Sequence, residues 1–204
     1  MSGLTARTRQ KDETRRRLFR AACELFAKHG YHATSVERIA RAAGVAKGTF
    51  FVHFATKDTV IVELVRLQVG AARASREAAF ARTRSPLGAL RAAVMALGTE
   101  AARSRELSRA VLSAGLADAA VAGDTDALFG ELFAQMTIDA QRAIDCGELR
   151  AGADAETVAS TLMASYLGAA LHFTNSRQSP PLGPLLERVV NANIAGFTGP
   201  ETRS

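Results

Sequence analysis

The chain has 204 residues, which is enough for one large domain or for two smaller domains that share an interface. Apolar residues make up 48% of the sequence and Trp is absent, and the abundance of Ala, Leu and Arg favours helix over sheet. Only two cysteines are present, Cys23 and Cys146, and they lack a metal-ligand spacing. This pattern excludes a disulfide framework and suits a reducing cytoplasm, so we expect a cytoplasmic protein.

The positive charge is concentrated in the first quarter of the chain. Residues 1–57 contain 12 Lys/Arg and 4 Asp/Glu, a net charge of +8, whereas residues 58–204 have a net charge of −2. A basic segment joined to a near-neutral remainder indicates a region that binds a polyanion. A solvated basic helix face explains the charge equally well, and charge alone leaves both interpretations open.

Hydrophobic periodicity divides the chain into about nine helices, and no stretch alternates for long enough to predict a strand. Residues 1–10 are polar and are predicted to form a flexible arm. The uncharged run 157–176 has the length of a membrane span, but its polar side chains favour a buried helix of a soluble protein. The nine helices are predicted at 11–29, 34–43, 47–54, 56–83, 86–103, 104–116, 126–145, 154–175 and 181–197, with a break at 123–125 and a loop at 147–152.

The stretch from Thr34 to Phe54, TSVERIARAAGVAKGTFFVHF, predicts two short helices joined by a tight turn. Thr34 and Glu37 have the spacing of a capping box at the start of the first helix. Gly44 is expected to end that helix, where a positive φ is useful. Phe50 and Phe54 are four residues apart, so they share the inward face of the second helix. A short helix whose N-terminus has a basic residue, Lys47, followed by small residues suits insertion into a DNA major groove.

This stretch resembles the DNA-binding helix-turn-helix of the TetR (tetracycline repressor) family of bacterial transcriptional regulators. The matching residues are Thr34, Ile39-Ala40, Ala43-Gly44-Val45, Gly48-Thr49-Phe50, His53-Phe54 and Lys57. Phe51 stands where the family usually has a Tyr that touches a phosphate, and Ala46 stands where a Ser often caps the second helix. The resemblance implies an all-α fold over the whole length, with a helix-turn-helix domain at 1–56 and a helical ligand-binding and dimerisation domain at 57–204.

Lys47 is the best candidate for reading bases, because a Lys side chain can donate to guanine O6 and N7. Gly48 is expected to allow close approach to DNA, and Thr49 to contact a thymine methyl group or a phosphate. The remaining candidate DNA-binding residues, placed at family positions near phosphates, are Thr34, Ser35, Phe51, His53 and Lys57. A structural hydrogen bond at a helix end is the alternative for His53, and a solvated face is the favoured interpretation of Arg17 and Arg20.

The resemblance also implies an apolar ligand cavity in the second domain. Its candidate lining residues are Met95, Phe129, Phe133, Met136, Tyr166 and His172. A stripe of Phe and Met at helical spacing is more often core than pocket, so both interpretations stay open. Small residues in the helix at 154–175 and apolar residues on two faces of the helix at 181–197 predict a homodimer through the last two helices.

Enzyme classes find no support in the sequence, which lacks a GxSxG motif, a phosphate-binding Gly-rich loop and HExxH. No metal site and no cofactor is expected. The expected function is a ligand-responsive DNA-binding transcriptional regulator, a repressor released from a palindromic operator by a small apolar or amphipathic molecule. Its expected partners are double-stranded operator DNA, the effector and a second copy of the chain, with no membrane. Two alternatives remain open: a transcriptional activator of the same family, and a DNA-independent helical binding protein for a lipophilic compound.

Overall fold

The computed structural model describes residues 2–117, 119–176, 178 and 180–199, and these residues form nine α-helices and no strand. This confirms the predicted all-α fold. We call α1–α3 the head and α4–α9 the body. The helices are α1 (Ser2–His29), α2 (Val36–Ala42), α3 (Lys47–His53), α4 (Asp58–Thr83), α5 (Pro86–Ala102), α6 (Arg105–Ala117), α7 (Ala119–Asp145), α8 (Ala155–Asn175) and α9 (Leu182–Thr198).

The predicted flexible arm at residues 1–10 is wrong, because α1 already begins at Ser2. Residues 4–10 contain neither Gly nor Pro, and Arg and Gln are good helix formers, so the helix continues toward the N-terminus. Thr14 is joined to this segment through its Oγ1, which donates to the Gln10 carbonyl at 2.9 Å. Residues 7–10 are exposed, and a helix end surrounded by solvent needs no apolar stripe. The polar sequence therefore carried no periodic signal for this part of α1.

The predicted break at 123–125 is also wrong, because α7 runs without interruption from Ala119. A Cβ added at Gly123 would meet nothing within 4 Å, so the residue lies in open space within the helix. The Thr125 hydroxyl donates to the Val121 carbonyl at 2.8 Å, a bond that Thr side chains make inside helices.

Buried side chains form two clusters, and α4 contributes to both. The head cluster contains Leu18, Phe26, Ile39 and Phe50 from α1–α3, Val60 and Ile61 from α4, Ala110 and Ala114 from α6, and Val121 from α7. The body cluster contains Val65, Val69 and Ala72 of α4, together with side chains from α5, α7, α8 and α9. The head core therefore extends past the predicted domain boundary at 56/57 and is completed by helices of the body. Residues 1 and 200–204 of the predicted domains lie outside the described residues.

Two arginines of α6 hold the C-terminal end of α8. The Arg105 Nη1 donates to the Phe173 carbonyl at 2.6 Å, and its guanidinium carbon lies 4.3 Å from the centre of the Phe173 ring. The Arg109 Nε donates to the Thr174 carbonyl at 3.1 Å. Cations near a helix C-terminus are stabilised by the free carbonyl groups there. Because Ala110 belongs to the head cluster, α6 connects the head with the end of α8.

Among the described residues, no helix combines the length and the hydropathy that a membrane span requires. α8, which contains residues 157–175 of the uncharged run, packs instead within the body cluster. The Ser165 hydroxyl donates to the Thr161 carbonyl at 2.7 Å and accepts from the Asn193 side chain at 2.6 Å. Tyr166 is 6% exposed, and burial raises the pKa of its hydroxyl to about 12.

A buried ion pair joins α4 to α7. The Asp139 side chain is fully buried and the Arg76 side chain is 12% exposed. The Arg76 Nη2 donates to Asp139 Oδ1 at 2.9 Å, and its Nε donates to the other carboxylate oxygen. Arg142 lies 3.6 Å from the same carboxylate. This bidentate contact fixes the C-terminal third of α4 to α7 and had no signal in the sequence.

We expect Asp139→Asn to lower the free energy of unfolding by about 3 kcal/mol, because it leaves the mostly buried Arg76 guanidinium without its charge partner. The matched control is Arg73→Gln, which removes an exposed ion pair with Glu131 between the same two helices. Its expected cost is less than about 1 kcal/mol. Urea denaturation measures both values, and equal losses in the two variants would contradict this assignment.

Candidate nucleic-acid interface

α3 has one buried face and one exposed face. Phe50 and Phe54 are 0% and 2% exposed, and their ring centres lie 5.6 Å apart, which confirms the predicted inward pair. Phe51 and Val52 are 49% and 68% exposed. Exposed apolar side chains on a basic head suit contact with thymine methyl groups. Sequence reasoning missed Val52, although its four-residue offset from Gly48 places the two on the same helical face.

The turn between α2 and α3 depends on Gly44, whose φ of +66° lies in the left-handed region. Its N–H donates to the Arg41 carbonyl at 3.0 Å, and the Val45 N–H donates to the Ala40 carbonyl at 3.0 Å. These bonds satisfy carbonyl groups at the end of α2 and confirm the predicted role of Gly44. α3 then begins after Ala46, whose side chain makes no capping hydrogen bond.

The predicted capping box at Thr34 is wrong, because Ser35 is the N-cap of α2. The Ser35 Oγ accepts from the Arg38 N–H at 3.3 Å. Thr34 is only 1% exposed, and its Oγ1 donates to the Gly30 carbonyl at 2.8 Å. Both residues have capping side chains, and the helix begins one position later than predicted. Ser35 is exposed and available to a phosphate, whereas the Thr34 hydroxyl is already bonded within the head.

Lys47 forms an ion pair with Glu37 across the start of α2 and α3. The two side chains are 55% and 49% exposed. The hydrogen bond from Lys47 is the main cause that lowers the pKa of Glu37 to about 2, followed by bonds from its own backbone N–H and from Ser35. An exposed ion pair contributes little to stability, so Lys47 is free to exchange Glu37 for another partner. These contacts also place Lys47 and Ser35 on neighbouring parts of one surface.

Arg15 fixes the end of α3 to α1 and α4. Its Nη1 donates to the His53 carbonyl at 2.7 Å, and its Nη2 lies 3.2 Å from the Glu63 carboxylate. Its guanidinium carbon lies 4.4 Å from the centre of the Phe54 ring. Two of these contacts lie at the end of α3 and the third lies on α4, so Arg15 links the end of α3 to α4.

Arg17 corrects the interpretation of a solvated basic face. Its Nε and Nη2 donate to the Ala43 carbonyl at 3.2 and 2.5 Å, and its Nη2 lies 3.5 Å from the Gly44 carbonyl. Arg17 therefore holds the turn, while Arg15 holds the other end of α3. Arg20 remains exposed, in agreement with the favoured interpretation of that residue.

Lys57 and His53 direct polar atoms into the head. The Lys57 Nζ donates to the Tyr31 carbonyl at 3.0 Å and lies 4.1 Å from the Tyr31 ring centre, and burial lowers the pKa of its ammonium group. The His53 Nδ1 is buried with no hydrogen-bond partner among the described residues. Burial, and then the charges of Lys11 and Arg15, lower the pKa of the His53 ring from its ordinary value, which favours the neutral form. Their phosphate roles stay predictions.

Comparison with known proteins begins with the helix-turn-helix. The family described as bacterial regulatory proteins, tetR family, matches residues 18–64, which include α2, α3 and parts of α1 and α4. The fatty acid metabolism regulator protein of Bacillus subtilis is 36% identical over 62 residues, which are 30% of this chain and 32% of that protein. The match thus spans about a third of the length of this curated relative.

Solved structures extend the likeness to nearly the whole chain. SmeT, the repressor of the Stenotrophomonas maltophilia multidrug efflux pump SmeDEF, has a TM-score of 0.74 and 25% identity, with 91% of this chain and 92% of SmeT covered. The chain belongs to the TetR family. FadR of B. subtilis in complex with stearoyl-CoA shares the TetR fold with a TM-score of 0.77, 19% identity, and coverage of 89% of this chain and 98% of FadR. Family membership confirms the sequence-based prediction of a TetR-family regulator.

The predicted ligand-binding residues of this TetR-family chain lie mostly in or against the body cluster. Met136 and Tyr166 are buried members of the cluster, and Met95, Phe129 and Phe133 are partly buried against it. His172 is exposed on α8, where it lines a groove of about 420 Å³ next to α9. The first five thus belong to or border the core of the body, and His172 does not. Their contact with a ligand stays a prediction.

We expect Gly44→Ala to lower the free energy of unfolding by about 1–2 kcal/mol, because a side chain is strained at this positive φ. Gly48→Ala is the matched control, since a Cβ at Gly48 would meet no atom within 4 Å. Alanine in a helix is more stable than glycine by about 1 kcal/mol, so the control is expected to be at least as stable as the wild type. Chemical denaturation followed by circular dichroism measures both, and an undiminished stability of Gly44→Ala would refute the constraint.

Proposed function

We propose that this TetR-family protein is a repressor that binds a palindromic operator as a homodimer and is released by a small apolar or amphipathic molecule. The observation that carries the proposal is the position of α4. Its first turn packs in the head cluster through Val60 and Ile61, and its middle packs in the body cluster through Val65 and Val69. A ligand that shifts α4 from within the body therefore also shifts the head.

The exposed surface around α3 supports the DNA-binding part of the proposal. Lys47 would exchange Glu37 for a base edge, while Phe51 and Val52 would contact thymine methyl groups. Gly48 is exposed and has open space above it, which suits close approach of the DNA backbone. The net charge of +8 on residues 1–57 supplies the phosphate attraction on which affinity for DNA depends.

Exposed leucines on α8 support the proposed dimer. Leu167 and Leu171 are 41% and 40% exposed, and their four-residue spacing places them on one face. α8 and α9 also border an apolar groove lined by Leu185 and Val189. In a twofold dimer the α8–α9 surface of one copy covers the same surface of its partner. Two heads would then read half-sites roughly 34–36 Å apart.

The proposed release couples the ligand to DNA affinity through α4. The buried contact between Arg76 and Asp139 ties α4 to α7, the helix that carries three of the six predicted ligand-binding residues. A ligand between these helices needs only about 1–3 kcal/mol of preference for one arrangement to change DNA affinity. The FadR structure contains stearoyl-CoA, an amphipathic molecule, and this likeness supports the proposed class of effector.

We expect Lys47→Ala to reduce the discrimination between DNA from upstream of the protein's own gene and a random duplex of equal length by about 5- to 150-fold, which corresponds to about 1–3 kcal/mol. Lys28→Ala is the control, because it removes the same charge from the exposed end of α1. Gel-shift titrations measure both variants and the wild type. Unchanged discrimination in Lys47→Ala would exclude the base-reading role, and equal wild-type affinity for the two duplexes would overturn specific operator binding.

The dimer is tested with Leu171→Glu, which we expect to convert the protein to a monomer because it places a charge in the apolar interface. Ile138→Glu is the control, since Ile138 is 47% exposed but lies on α7. Sedimentation velocity gives the mass of each variant. A dimeric Leu171→Glu, or a monomeric Ile138→Glu, would move the interface away from α8 and α9.

A further inference from the structure

A cavity of about 600 Å³ lies between α1 and α4, where the head meets the body. α1 contributes Arg16, Phe19, Arg20 and Cys23 to its walls, and α4 contributes Leu67. The volume lies within the range of roughly 300–1,000 Å³ that is usual for small-molecule sites. None of the predicted DNA-binding or ligand-binding residues lines it.

A second cavity, of about 260 Å³, adjoins the first. The two share Phe19, Cys23 and Leu67 as lining residues, so these side chains lie at their common border. The second cavity extends along α4 to Gln68 and onward to α6. Together the two cavities form one junction site that leads from the surface of α1 into the space between α4 and α6.

The junction site is apolar in the middle and cationic at its outer end. Leu67 is 53% exposed and, with Phe19, gives the middle of the site its apolar character. Arg16 and Arg20 are both exposed at the rim, four residues apart on α1, and form no hydrogen bond or ion pair within the part of the chain that the structure describes. Their guanidinium groups are available to an external anion.

The other charged residues around the first cavity are mostly paired with one another, whereas Arg16 and Arg20 are not. Arg15 is already engaged by the His53 carbonyl and by Glu63. Glu63 is in turn paired with both Arg15 and Arg66. Glu100 and Arg103 line the second cavity and pair with each other. Asp12 is the remaining acidic residue, so the two unpaired arginines, Arg16 and Arg20, outnumber the one unpaired carboxylate.

Gln68 gives an independent sign of a ligand at the inner end. Its side chain lines the second cavity and is 6% exposed, yet it makes no hydrogen bond within the described ranges of the chain. Its amide atoms are not among the fully enclosed unsatisfied atoms of the described residues, so water or a ligand in the cavity can reach them. A polar atom of a bound molecule would supply a hydrogen-bond partner.

We propose that the junction site binds an apolar organic anion that carries a second polar group. Arg16 and Arg20 hold its carboxylate, Phe19 and Leu67 surround its hydrocarbon part, and Gln68 forms a hydrogen bond with a hydroxyl or carbonyl oxygen farther along the chain. This site is distinct from the effector cavity proposed within the body. Its occupant lies between α1 and α4, the two helices that Arg15 connects to α3.

Isothermal titration calorimetry on the full-length protein tests the chemistry with decanoate, 10-hydroxydecanoate and 1-decanol. We expect saturable binding of both acids, several-fold tighter binding of 10-hydroxydecanoate, and the weakest binding for the alcohol. Arg16→Gln combined with Arg20→Gln should weaken decanoate at least tenfold and change decanol less than twofold. Gln68→Leu should remove the advantage of the hydroxy acid. Arg82→Gln, an exposed arginine at the other end of α4, is the control and should change nothing.

Cys23 reports the location of binding in the wild-type protein, so the test does not depend on the folding of the variants. Burial, and then the charge of Glu24, raise the pKa of the Cys23 thiol to about 11, and its alkylation by N-ethylmaleimide is expected to be slow. We expect 10-hydroxydecanoate to slow it further, measured by mass spectrometry, with the exposed Cys146 unaffected. Absence of saturable binding, equal affinity in the double arginine variant, or equal effects on both cysteines would overturn the proposal. Neither measurement contains DNA, so a failure of operator binding would leave this result standing.

Discussion

α4 determines how the two ends of this molecule are related, because its side chains enter two buried clusters within ten residues of each other. Val60 and Ile61 complete the core of the head, and Val65 and Val69 lie in the core of the body. An uninterrupted helix keeps a fixed rise and rotation per residue. The two clusters therefore cannot change their spacing along α4, and a change in the body reaches the head as a movement of the whole helix.

The basic residues of the head serve two different purposes. Arg15 donates to a carbonyl group at the end of α3, Arg17 to a carbonyl group in the turn before α3, and Lys57 to the Tyr31 carbonyl. These cations hold the recognition helix in place. Lys47 is held only by an exposed carboxylate, and Arg16 and Arg20 face solvent at the rim of the junction site. A net charge of +8 thus overstates the charge that is free to meet a phosphate.

Features fixed by short spacings could be predicted from the sequence. The inward pair Phe50 and Phe54, the turn at Gly44 and most helix boundaries depend on residues within one or two helical turns. The roles that could not be predicted depend on partners far along the chain. Arg17 reaches a carbonyl 26 residues away, and Arg76 meets Asp139 across 63 residues. Periodicity along one helix gives no information about which carbonyl or carboxylate another helix will present. The junction site has no sequence signal for the same reason, because its walls come from separate helices.

The participation of α6 in the head cluster has a consequence for exchanging DNA-binding modules between related regulators. A head excised at residue 57 would lose its contacts with Val60, Ile61, Ala110 and Ala114. The apolar side chains of α1–α3 that these four residues cover would then be exposed to solvent. A chimaera joined at the end of the helix-turn-helix would place a foreign α6 against α1. A transfer of operator specificity to another body therefore requires that the residues of α4 and α6 that contact the head are transferred together with it. The transferable unit is a set of contacting surfaces, and it is discontinuous in the sequence.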